Sequence, residues 1–79
     1  MHVVAIHHIH DPAGFRKAVD QADELPPEFK LPIDAQTSEG SKAVCIWQGP
    51  SMEAVRHWVE SVVGPSSKNE YFEMTVQSL

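Results

Sequence analysis

The chain has 79 residues, 42% of them hydrophobic, with eleven acidic side chains against six basic ones and a formal charge of −5. That length holds one domain at most (residues 1–79), and the apolar share is that of a folded protein rather than a disordered one. The acidic balance leaves no Lys/Arg stripe for a nucleic-acid backbone and disfavours an anionic membrane surface.

The first predicted element is a strand from His2 to His10, rich in β-branched and apolar residues. Four of the five histidines sit here, at 2, 7, 8 and 10. Alternation divides the strand into Val3, Ala5, His7, Ile9 on one face and His2, Val4, Ile6, His8, His10 on the other. Both faces carry apolar side chains, which predicts cover on both. Asp11-Pro12 then opens a helix, with Asp as N-cap and Pro preorganised for the first turn. Phe15, Ala18, Val19 and Ala22 recur at helical spacing, so the helix is expected to run to Glu24.

Pro26, Pro27 and Pro32 break the chain into a connector. A weaker strand is expected from Leu31 to Thr37, at a sheet edge because Pro32 donates no ladder hydrogen bond. SEGS (Ser38 to Ser41) predicts a hairpin turn. KAVCIWQ (Lys42 to Gln48) is almost wholly apolar and predicts a central strand. Ser51 caps a second helix whose stripe is Val55, Trp58, Val59 and Val62, stopped by Gly64-Pro65. SSKN (Ser66 to Asn69) is expected as a loop. EYFEMTVQ (Glu70 to Gln77) alternates as a last strand, with Phe72, Met74 and Val76 opposite Tyr71, Glu73 and Thr75.

Strand, helix, strand, strand, helix, strand is the order of the α+β, ferredoxin-like βαββαβ sandwich. Right-handed crossovers favour a four-stranded antiparallel sheet ordered 4-1-3-2, with both helices on one face. Short domains bury only roughly 60% of their unfolded surface alone. The second, apolar sheet face therefore predicts a homodimer, with a pocket between the sheet and its partner.

Two stretches carry resemblances. The segment His7-x-Ile9-x-Asp11-x-x-x-Phe15-x-x-x-Val19 resembles the start of the dimeric α/β-barrel domains, many of which set a first-strand His before an aspartate-capped helix. AVCIWQGPSMEAVRHWV (Ala43 to Val59) resembles the third strand and second helix of a small ferredoxin-like family of unknown function that includes a nickel-binding protein. In that family Ala-Pro stands where this chain has Gly49-Pro50. The two matches touch about half the chain. They imply the fold more than the activity, because the superfold hosts oxygenases, cyclases, metal binders and ligand sensors.

Three functions are expected of such a chain. In the first, it binds a divalent transition metal (Ni or Zn) or a small ligand. His8 and His10 share a strand face and can chelate, with His2 as a third ligand from another subunit. There is no C-x-x-C or H-E-x-x-H spacing, and half-solvated structural histidines at a strand end are the plainer alternative. In the second, a cofactor-independent enzyme of oxygenase or cyclase type uses His7 as acid/base with a carboxylate such as Glu73. Parity sets Cys45, Trp47, Tyr71, Thr75, Asp34 and Gln36 around it as ligand-binding positions. A hydrogen-bonded core histidine is the alternative there. The third function is an interaction module without chemistry. Cys45, the sole cysteine, forbids an internal disulfide and fits a reducing cytoplasm. In an apolar strand it also reads as a small hydrophobe. No apolar run is long enough for a membrane span. The first dozen residues, without Lys, Arg or a small-residue cleavage site, do not read as a signal peptide.

Overall fold

The computed structural model describes residues 1–22 and 24–77. The chain runs β1 (His2–Ile9), α1 (Pro12–Gln21), β2 (Lys30–Gln36), β3 (Lys42–Gln48), α2 (Met52–Val63) and β4 (Ser67–Met74). The strands form one antiparallel sheet in the order β2-β3-β1-β4, the 4-1-3-2 arrangement of the ferredoxin-like fold. No helix among the described residues is long and apolar enough to cross a membrane.

Local chemistry sets the element ends. The Asp11 carboxylate accepts from the Gly14 N–H at 3.1 Å, with Pro12 at the first helical position. Ser51 Oγ accepts from the Ala54 N–H at 3.1 Å. These caps satisfy donors that a helix start leaves orphaned. Helix α1 ends at Gln21 rather than Glu24, and Ala22 is extended. Its last turn holds Asp20 and no basic residue, the wrong charge for a helix C-terminus. The expected stretch through Asp23 lies outside the described residues. β2 is an edge strand, and its register slips between Lys30 and Ile33, around the proline that cannot join the ladder. In the hairpin, Gly40 takes a positive φ of 77°, which a side chain would resist.

The last strand departs from expectation. Lys68 and Asn69 pair with His8 and His7, and Ser67 pairs with Ile9, so most of the predicted SSKN loop is strand. The hydroxyls of Ser66 and Ser67 both reach the Val63 carbonyl, at 3.2 and 2.9 Å. They satisfy the end of α2 from inside the core, where their polarity no longer marks a loop. Thr75, expected in the strand, falls beyond its end.

The core forms on one sheet face. Val3, Ala5, His7 and Ile9 of β1 and Ala43, Cys45 and Trp47 of β3 are buried against Phe15 of α1 and Val55, Val59 and Val63 of α2. Phe29, from the proline-rich connector, joins them and stacks on Trp58 with ring centroids 6.3 Å apart. Gly49 permits this packing, since a Cβ there would lie 2.8 Å from Val55 Cγ2 and 3.1 Å from Phe29. The opposite face has no helix. Ile33, Val44, Phe72 and Met74 are 39–50% exposed across it, with Val4, Ile6 and Ile46 half-buried between them.

Candidate functional site

The alternation of β1 aims His7 at the helices, and its imidazole is 2% exposed. Parity on the other strands holds. Asp34, Cys45, Trp47 and Tyr71 share this face, because Ala5 pairs with Cys45 and Tyr71, Val3 with Trp47, and Asp34 with Cys45. The face itself is the helix-covered one, so these residues face α1 and α2, where the expectation set them between the sheet and a partner. The helices dock here through Phe15 of α1 and Val55, Val59 and Val63 of α2, which are buried against β1 and β3.

A cavity of about 220 Å³ lies between the sheet and the helices. His7, Asp34, Gln36, Cys45 and Trp47 line it from the strands, Phe15 and Val19 from α1, and Trp58, Val59, Val62 and Val63 from α2. Leu25 and Leu31 close it from the connector and β2. Its exposed members, Val19, Ala22, Leu25, Asp34 and Gln36, mark a mouth between α1 and the edge strand β2.

His7 is held by a relay that runs the other way. The Asn69 side-chain amide donates to Glu60 Oε2 at 2.7 Å. A carboxylate only accepts, so the Asn69 carbonyl Oδ1 is the atom that faces His7, 2.6 Å from Nδ1. That contact requires a proton on Nδ1. Tyr71 donates its hydroxyl to the same Glu60 oxygen, and Arg56 lies 5.5 Å from the Tyr71 ring centroid. Burial holds the His7 pKa below 6.5, outweighing the Asn69 hydrogen bond and the nearby Asp34 and Glu60 carboxylates, which raise it. The ring is therefore neutral near pH 7, and Nε2 carries its lone pair. Nδ1 points at β4, so Nε2, on the far side of the ring, points away from it. Phe15 packs against the imidazole edge-on at 5.6 Å.

Two further polar groups belong to the wall. Cys45 Sγ lies 3.5 Å from Asp34 Oδ1, and burial, followed by the Asp34 charge, pushes its thiol up to about 12. Cys45 is thus a protonated, weakly nucleophilic wall residue. Trp47 Nε1 is a buried donor with no hydrogen-bond partner among the described residues.

Glu73 is not brought to His7. It pairs with Val3, whereas His7 pairs with Asn69, and four residues of strand separate the two rows by about 13 Å. The carboxylate that reaches His7 comes instead from Glu60 of α2, through Asn69. Tyr71 contacts Glu60 rather than the cavity. The sequence does not mark Asn69 or Glu60, because SSKN has the composition of a loop and Glu60 lies off the apolar stripe of its helix.

The other histidines are dispersed. The His8 ring lies 2.7 Å from Glu70 Oε2 through Nε2. His10, beyond the end of β1, donates from Nε2 to the Pro65 carbonyl at 3.1 Å. His2 Nε2 accepts from the Gln48 amide at 2.8 Å. Each Nε2 is engaged, and His2 and His8 stand six strand residues apart, about 20 Å. Among the described residues no group of three His, Cys, Asp or Glu is placed to hold a metal ion. The three histidines do not fit a shared nickel or zinc centre within one chain.

The fold and this cavity define a class: a ferredoxin-like domain with a largely apolar chamber beneath its helices. No protein-family model, curated protein or solved structure matches the chain.

Proposed function

We propose that the protein binds a small organic ligand in the chamber between sheet and helices, and works as a homodimer joined through the open sheet face. The observation that carries the binding reading is the cavity, an apolar chamber with one oriented imidazole in its wall. Small-molecule sites have this make-up, an apolar lining with a few fixed polar groups. The resemblance of the His7 to Val19 segment to the dimeric α/β-barrel domains supports the same reading.

The homodimer draws on the open face. Its centre is apolar, with Val4, Ile6, Ile33, Val44, Ile46, Phe72 and Met74, and one end is polar, with His8 beside the charged Lys42, Lys68 and Glu70. A dry centre with a polar rim is the usual anatomy of an interface, and a second copy presents the same surface.

The test is an NMR titration of the isotope-labelled protein with neutral one- and two-ring compounds. Saturable shifts at His7, Cys45 and the Trp47 and Trp58 indole N–H signals are expected. Shifts confined to the open face would defeat the reading. Acid/base action of His7 on the bound molecule is a second reading. It draws on the Glu60–Asn69 relay, which holds a neutral base in one tautomer. Conversion of a bound compound by the parent protein but not by His7→Gln would support it.

A further inference from the structure

We propose that the chamber selects a neutral, hydroxyl-bearing ring compound, whose O–H donates to His7 Nε2 while its rings fill the apolar wall. This rests on the binding reading above and names its ligand class. The donor requirement follows from the relay. Glu60 fixes the Asn69 amide, Asn69 Oδ1 takes the Nδ1 proton of His7, and the ring is left with an acceptor alone on its other side. A ligand carbonyl would meet a lone pair there, whereas a hydroxyl completes the bond.

Neutrality follows from the surroundings. His7 is uncharged near pH 7 and cannot pair with an anion, and the Asp34 carboxylate stands in the same wall. Among the described residues no Lys or Arg lines the cavity. An ionised ligand would lose its hydration there without a cationic side chain to offset its charge. Size follows from volume. An apolar cavity of about 150 Å³ admits benzene, so one of about 220 Å³ admits two fused rings. Phe15, Trp58, Val59 and Val62 supply the faces against which flat rings pack.

The experiment compares 2-naphthol, naphthalene and 2-naphthoate on the parent protein at pH 7.5, with dissociation constants read from the cavity NMR signals. 2-Naphthol is expected to bind at least about fivefold more tightly than naphthalene, the gain from one buried hydrogen bond, and 2-naphthoate to bind weakest. His7→Leu should bring the first two to equal affinity while naphthalene binding persists. Should that variant not fold, Asn69→Ser, which frees the ring, should shrink the preference. Long-range nitrogen spectra of the parent imidazole should show Nδ1–H and an unprotonated Nε2. Equal affinity of naphthol and naphthalene, tightest binding of naphthoate, or an Nε2–H tautomer would overturn the ligand class while leaving the binding reading standing. No cavity shift with any of the three compounds would overturn both.

Discussion

The two faces of the sheet are built from alternate residues of the same strands and could hardly differ more. On the helix side β1 contributes Val3, Ala5, His7 and Ile9, all buried, and a polar relay is woven into the packing. On the other side it contributes His2, Val4, Ile6 and His8, none fully buried. The first face gains its stability within one chain. The second leaves apolar side chains exposed in the single chain, and in the proposed homodimer the stability it adds would depend on protein concentration. In the proposed homodimer, a period-2 element would thus separate folding from association, one residue apart.

Mutations can break that division. The largest effect is expected from Phe15→Ala, which deletes a buried ring beside an existing cavity and should cost about 3 kcal/mol. Chemical denaturation should show this loss at every protein concentration, and a loss that vanishes in concentrated samples would blur the two faces. Ile6→Asp, on the open face, should do the reverse. It should weaken self-association by 100-fold or more in sedimentation equilibrium and move the monomer's unfolding midpoint far less than Phe15→Ala. A parent protein that sediments as a folded monomer at micromolar concentration would remove the homodimer.

Asp11→Ala removes the cap of α1 and should cost about 1 kcal/mol, read as a lower melting temperature. The smallest effect should come from pH. His7 faces Asn69 on β4, with Glu60 of α2, Asp34 of β2 and His8 of its own strand as the charged or titratable groups that act on it. Its folded pKa is lowered, so the unfolded chain takes up a proton first as pH falls. The stability that neutral His7 contributes is complete above about 6.5 and declines between there and the lower folded value. In His7→Leu this part of the stability–pH curve should flatten. An unchanged curve would mean that the ring protonates in place.

Much of this was legible in the residues. Val3, Ala5, Val55 and Val59 announce their faces by spacing, Asp11 and Ser51 announce helix starts, and Pro32 announces an edge. The grouping of His7 with Cys45, Trp47 and Asp34 also follows from strand parity. Which face the helices choose does not, because both faces of β1 and β3 are apolar and parity says only which residues travel together. The partner of His7 was hidden for a different reason. Ser67 and Asn69 have the composition of a loop, and only their bonds to Val63 and Glu60 make them acceptable within a strand. Phe29 likewise sits among prolines, where no periodicity marks it as core.

The pairing of β1 with β4 joins the two ends of the chain, and the His7–Asn69 contact spans 62 positions. During synthesis, β1 would leave the ribosome long before its neighbour exists, exposing one edge and two apolar faces. Closing so long a loop comes late and slowly compared with forming the helices. The tautomer of His7 would thus be set only when the last strand docks, so the chamber would acquire its chemical polarity at the moment the domain is finished.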